Sequence, residues 1–413
     1  MQKLTKKSAV IVFLVFACGY FLSTLIRAVT ATLSPVLTKE FDLTSSDLGL
    51  LAGGYFFGFA MMQLPLGKLL DRFGPKNVIL CFLTLAVFGC VWFSLANSFV
   101  ELLAARVLCG VGVSACLMSA LTGYRRWFES GILIRANSWM LMIGSLGMVT
   151  ATLPVQWLMP VLGWRPLFWG LAGMVIIAMV LIVLHVPKWE VLEIKKEKGA
   201  VVDRGYKEVW GNPFFRRVVP IGFVCYGGFL AMQTLWATPW MIRVGGYSPM
   251  EAAQSMFAIN VGTLISFWAW GAMIPWLERH GYGVIYLLKR GLFVTLVLLA
   301  IIIGIGDKYP SWIATLWVLY CMACTTVSLA QPAVGLAFPE TLVGRGLSAY
   351  NLVIFFGIFA VQWGVGLCID LFGWMGLSVI AAFKSSMLVY FVLAVASYIY
   401  MLQTKTSTDR VQK

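Results

Sequence analysis

Twelve apolar segments, each close to the ~20 residues that carry an α-helix across ~30 Å of hydrocarbon, leave this chain few ways to fold. They lie at about 9–33, 47–66, 78–97, 100–123, 136–158, 165–186, 218–241, 252–275, 287–306, 311–336, 347–369 and 381–402. Helices are expected, because a backbone exposed to lipid has to satisfy its hydrogen bonds within its own segment. The segments lack the period-two alternation of a membrane-barrel strand. With 60% hydrophobic and 12% charged residues and a mean hydropathy of +0.87, the chain also lacks the charge that a soluble domain of 413 residues needs on its surface. The expected class is an all-α polytopic membrane protein.

The polar punctuation between these segments occurs twice. Asp71-Arg72-x-Gly74 is followed 207 residues later by Glu278-Arg279-x-Gly281. Phe128, seven residues ahead of Arg135, is matched at an offset of 210 by Phe338 ahead of Arg345, and Gly147 by Gly357. A membrane chain built of two related halves points to a transporter. The boundary between the halves is the mixed-charge stretch 187–217, with Lys188, Glu190, Glu193, Lys195, Lys196, Glu197 and Lys198 at its start. The expected organisation is a six-helix bundle at 1–186, a linker loop at 187–217 and a second six-helix bundle with a short tail at 218–413. The loop is expected to be a solvated linker with room for a helix on the membrane surface.

The formal net charge of +14 does not imply nucleic acid. With the N-terminus placed in the cytoplasm, only Lys39, Arg165, Arg243, Lys308 and Lys384 fall in outer loops, and Arg27 and Arg106 fall in the membrane. The other Lys and Arg residues are cytoplasmic, so the positive-inside rule puts both termini inside. Lys3, Lys6 and Lys7 precede an apolar run too long for a signal-peptide core, so that run is expected to be the first span. The nine cysteines, including Cys321-x-x-Cys324, sit in or beside apolar segments and are expected to pack as small hydrophobes. Short loops without an Asn-x-Ser/Thr acceptor suit a bacterial inner membrane.

Twelve spans, a central loop and the pattern Gly67-x-Leu69-x-Asp71-Arg72-x-Gly74-x-Lys76 between spans two and three together resemble the major facilitator superfamily. The resemblance covers nearly the whole chain. It implies two pseudo-symmetric bundles around a cavity that opens alternately to either side. In the family this motif is a gate latch, which implies that role for Gly67, Asp71, Arg72 and Gly74, with Arg135, Glu278, Arg279 and Arg345 in the same polar belt. Gly67 lets the end of span two approach a neighbour closely. Asp71 suits a helix N-terminus or an arginine. The start of span eleven, after Arg345, is its expected partner, with Arg125, Arg126 and Arg135 as alternatives.

Two arginines lie inside spans, where charge is costly and needs a reason. Arg27 stands eight residues before Pro35 in span one, and Arg106 opens Arg-x-x-x-Gly-x-Gly in span four. The stretch from Tyr20 to Lys76 resembles more narrowly the organic-anion branch of the superfamily, which holds an anionic substrate on a span-one arginine in this position. Guanidinium suits that work because it stays charged and offers a fork of donors. Arg106 is open to two roles, substrate contact or structural residue. Two departures count. Span seven reads Leu230-Ala231-Met232-Gln233-Thr234, without the second arginine of organophosphate antiporters, which favours a carboxylate over a phosphate dianion. No Asp or Glu lies mid-span, so coupling to a proton or sodium ion, exchange and uniport all stay open.

Tyr55, Gln233, Trp236, Asn260, Gln331, Asn351 and Gln362 complete the candidate substrate-binding set, and helix packing is the other role open to each. Gly144-Ser145-Leu146-Gly147-Met148, with Pro154 displaced, departs from the Gly-Pro-x-x-Gly-Gly pattern of efflux antiporters. A non-transporting receptor on the same fold is the alternative outside transport. With only His185 and His280, and neither metal spacing nor a phosphate loop, enzymatic activity is not expected. The expected partners are a small organic anion and the bilayer, with a proton or sodium ion as coupling ion left open and no cofactor or metal, and the chain is expected to act as a monomer.

Overall fold

The computed structural model describes residues 4–187 and 205–404, so the charged part of the central loop lies outside the described residues. It is an α-helical bundle. We label the spans α1 (Lys6–Phe41), α2 and α3 (45–73 and 75–95 within Ser45–Leu95) and α4 (Phe99–Val113 continued by Ala115–Trp127). α5 comprises Ser130–Thr150 and Leu153–Leu162, bent by 41°, and α6 is Trp164–His185. The second half has α7 (Pro213–Arg243), α8 (Pro249–Arg279), α9 (Val284–Ile305), α10 (310–336), α11 (Glu340–Trp374) and α12 (Val379–Gln403).

Ser45–Leu95 is 51 residues long, about 76 Å at 1.5 Å per residue and more than twice the hydrocarbon thickness. It is two spans, broken at Gly74, where φ is 75° and ψ is 162°. That left-handed φ is the reason for glycine, since a Cβ would be strained there. Its counterpart Gly281 has φ 81° between α8 and α9. The repeated glycine thus makes the same turn in both halves. Lys76, two residues past the first turn, donates to the Val183 and Val186 carbonyls at 2.8 and 2.6 Å and so caps the end of α6.

The halves also share an internal joint. A Cβ on Gly147 of α5 would collide with the Phe21 carbonyl of α1, and one on Gly357 of α11 with the Phe223 carbonyl of α7. These glycines bring backbones together where lipid supplies no hydrophobic drive for helix association. α7 departs from α-geometry in two π-helical segments, Ile221–Tyr226 and Met232–Trp236, and α10 in a 3₁₀ segment, Thr325–Leu329. The stretch expected to be linker turns helical at Gly205–Gly211, and Asn212 there donates to the Ala337 carbonyl at 3.1 Å. That segment therefore packs with the second half.

The halves meet chiefly along α2 and α11, with α1 against α7 and α5 against α8. The meeting is tight at the end away from Gly74, which we call the far end. There Gly49 lies on the Gln362 backbone, Gly53 on Phe359, and Gly366 on the Ser45 carbonyl. Phe59 and Phe355 stack midway, ring centroids 4.2 Å apart. At the motif end Gly67 has open space around it, and Asp71 is exposed with no hydrogen bond or ion pair among the described residues. The close approach expected at Gly67 is absent because the helices have separated before reaching it.

Candidate functional site

Arg27 lies two turns beyond Tyr20 on α1, so the two share a face. Gly144 and Gly147 of α5 make room beside them: a Cβ on Gly144 would enter the Tyr20 ring. The close fit brings Met148 to the guanidinium, whose Nη2 meets the thioether Sδ at 3.6 Å. Arg27 Nε is buried and has no partner among the described residues. The hydroxyls of Tyr20, Tyr55 and, from the second half, Tyr226 are within electrostatic reach of the charge.

Arg106 is fully buried; its two Nη atoms turn toward the α1 backbone, while its Nε, like that of Arg27, has no partner among the described residues. Nη1 donates to the Ile26 carbonyl at 2.9 Å and Nη2 to the Arg27 carbonyl at 3.5 Å. The guanidinium lies 5.3 Å from the Tyr55 ring centroid and 5.9 Å from that of Phe93. Tyr55 donates to the Ser23 carbonyl at 3.0 Å, and Gly110 presses against the Tyr55 backbone. The structure therefore gathers Arg27, Arg106 and Tyr55 into one cluster, with different postures. Arg106 braces α1, whereas Arg27 is only half-buried and keeps donor capacity in reserve. No Asp or Glu is among the buried residues described, so nothing acidic in the bundle core neutralises the pair.

The second half contributes amides. Gln233 Nε2 donates to Asn260 Oδ1 at 3.0 Å and Thr263 Oγ1 at 3.3 Å, linking α7 to α8. Gln362 Nε2 donates to Thr234 Oγ1 at 3.0 Å, while Trp236 Nε1 donates to the Gln362 carbonyl at 3.0 Å, linking α7 to α11. The side-chain oxygens of Gln233 and Gln362 are buried without partners among the described residues. Gln331 and Asn351 form a separate, half-buried pair at 2.8 Å between α10 and α11. All five candidate amides and Trp236 are thus engaged in tying helices together.

In the polar belt, Arg72 covers the neighbouring Phe73 ring at 5.1 Å and Arg279 is exposed in the last turn of α8. Arg345 is half-buried near the start of α11. The side chains of Arg135 and Glu278 lie outside the described ones. The sequence reading left out Tyr20, Tyr226, Met148, Thr234 and Thr263. A signal existed for the tyrosines: each stands seven residues, two helical turns, before a candidate (Arg27 or Gln233) in corresponding spans of the two halves.

The family profile described as Major Facilitator Superfamily matches residues 16–362. The probable galactarate/D-glucarate transporter GarP of Escherichia coli K12 is 24% identical over 400 residues, 89% of this chain and 83% of that protein. The probable sulfoacetate transporter SauU of Cupriavidus necator is 24% identical over 247 residues, and the match spans only 57% of each chain. Among solved structures, a bacterial homologue of the human lysosomal transporter Spinster, inward-facing and unoccupied, superposes with a TM-score of 0.77 at 18% identity over 97% of this chain and 98% of that one. At that identity the likeness concerns the fold.

Proposed function

The chain belongs to the Major Facilitator Superfamily, and from that premise we propose that it is a secondary transporter of a small, carboxylate-bearing organic anion working by alternating access. The observation that carries the reading is Arg27. A guanidinium inside a membrane bundle is costly to bury unpaired, and this one faces a thioether and tyrosine hydroxyls rather than a carboxylate. A bound carboxylate would complete it through two parallel N–H···O bonds. Arg106 holds the Arg27 carbonyl in register, and the charge of both arginines favours an anion over a cation. Two relatives are named as probable transporters of galactarate or D-glucarate and of sulfoacetate, compounds that are anions, which agrees with this reading.

The excess of Lys and Arg at the motif end supports a cytoplasmic position for that end and both termini, and the short loops suit a bacterial inner membrane. The state described here, closed at the far end and apart at the motif end, is then inward-facing. A monomer suffices, because both halves of the site come from one chain. Coupling to a proton or sodium ion would have to use groups other than a mid-span carboxylate.

The test is a thermal-shift screen of the detergent-purified protein against carboxylates, phosphates, neutral sugars and lipophilic cations, repeated on Arg27→Ala and Arg27→Lys. Stabilisation confined to carboxylates, lost in Arg27→Ala and weakened in Arg27→Lys, is expected. Stabilisation by cations or neutral compounds that ignores Arg27 would overturn the proposal.

A further inference from the structure

α2 and α11 come from different halves and run antiparallel, so the C-terminal end of each lies beside the N-terminal end of the other. Both end in the same short pattern. α2 has Gly67-Lys68-Leu69-Leu70-Asp71 at the motif end, and α11 has Gly366-Leu367-Cys368-Ile369-Asp370 at the far end. Glycine and aspartate four residues apart lie one above the other on a helix face. The glycine admits the partner backbone, and the carboxylate reaches the helix end beyond it.

At the far end this device is engaged. Asp370 Oδ1 accepts from the Ser45 backbone N–H at 3.0 Å and Oδ2 from the Ser46 N–H at 2.7 Å. These are the first two amides of α2, which no helical carbonyl can satisfy, at the positive end of its dipole. Gly366 makes the approach possible, since a Cβ there would strike the Ser45 carbonyl. Gly49, one turn into α2, lies against Gln362, one turn before Gly366. At the motif end the copy is disengaged: Gly67 has open space and Asp71 has no partner among the described residues.

We propose that Gly366 and Asp370 form a second gate latch, which holds the far end closed in this state and alternates with Gly67 and Asp71 at the motif end. Both latches use a carboxylate of one half on the helix N-terminus of the other. The α2–α11 pair cannot be tight at both ends while the halves rock, so release of one latch accompanies engagement of its copy. The inference needs no statement about the substrate, so it stands or falls independently of the anion reading.

Hydrogen–deuterium exchange of the full chain in lipid nanodiscs, without substrate, tests it. Asp370→Asn is expected to raise exchange several-fold in segment 43–50 and, at the opposite end, to lower it in segment 62–76, as the population moves to the other state. Asp71→Asn is expected to leave 43–50 at least as protected as in the parent. Should Asp370→Asn fail to fold, Gly366→Ala is expected to shift both segments in the same two directions. Faster exchange at 43–50 with no change at 62–76 would reduce Asp370 to a local helix cap and overturn the proposal, as would no change at either segment.

Discussion

Gly49 and Gly67 lie on one helix, 18 residues or about 27 Å apart, and their surroundings differ completely. Gly49 is pressed onto the backbone of α11; a Cβ added at Gly67 would meet no other part of the protein within 4 Å. A glycine's own lack of a side chain does not explain the difference, since both glycines stand beside leucines within one helix, Gly49 between Leu48 and Leu50 and Gly67 after Leu66. The difference belongs to the pair of helices, which close on one side of the membrane and part on the other. In hydrocarbon, association rests on van der Waals fit and on polar groups that find partners. At the far end α2 and α11 have both, with glycines in contact and Asp370 on two amides. At the motif end they have neither.

The widest gap should open between substitutions at these two glycines. Gly49→Val puts a branched side chain into the Gln362 backbone, an overpacking that costs about 1–3 kcal/mol, and it should prevent far-end closure. Uptake into proteoliposomes should fall at least tenfold with membrane insertion unchanged, while Gly67→Val should leave the thermal midpoint of the purified protein near that of the parent. Equal loss of stability in both variants would erase the contrast. Next in size is Asp71→Lys, which places a cation where a helix N-terminus must dock in the opposite state. Its uptake should drop severalfold while insertion stays normal, and unimpaired uptake would mean that these charges serve topology alone.

The smallest effect should come from Asp307, a far-end residue whose contact stays within one half. Lys384 Nζ lies 2.7 Å from Asp307 Oδ1, and the ammonium holds that carboxyl below the ordinary carboxylate range. A depressed carboxylate stabilises the fold at neutral pH, and the contribution fades as pH falls through its lowered value, below about 3.9. Exposed pairs contribute under about 1 kcal/mol, so Asp307→Asn should lower the thermal midpoint by no more than a few degrees at pH 7 and by nothing in stronger acid. Exchange in segment 43–50 should not respond. A response there would show that the contact within one half also bears on the gate.

Hydropathy located all twelve spans, and the Asp-Arg-x-Gly stretch with its Glu-Arg-x-Gly copy marked the connections in which the turns at Gly74 and Gly281 lie, though not the turns themselves. What it missed has physical causes. α1 is apolar to about residue 33 yet helical to Phe41, because hydropathy marks the edge of the lipid whereas hydrogen bonding marks the end of the helix. Arg27 and Arg106 stand out alike as charges in apolar segments, and only the bundle reveals that one grips carbonyls of α1 and the other does not. The amides of Gln233 and Gln362 were visible as polar residues, but their partners come from other helices, which spacing along one helix cannot name. In the sequence Asp370 is one acidic residue just past the apolar segment 347–369. The Gly-x-x-x-Asp copy that gives it meaning becomes apparent only once α2 and α11 are known to be antiparallel neighbours.

The arginine pair without a carboxylate also has an electrical consequence. A charge carried through the membrane field gains or loses about 2.3 kcal/mol per 100 mV. On the proposed function, the positive site of the empty carrier would feel membrane voltage as the halves rock around it, while a monoanion seated on Arg27 would remove one unit of that charge. Voltage should thus act unequally on the loaded and the unloaded half-cycles, and reversing its sign would change which of them limits turnover.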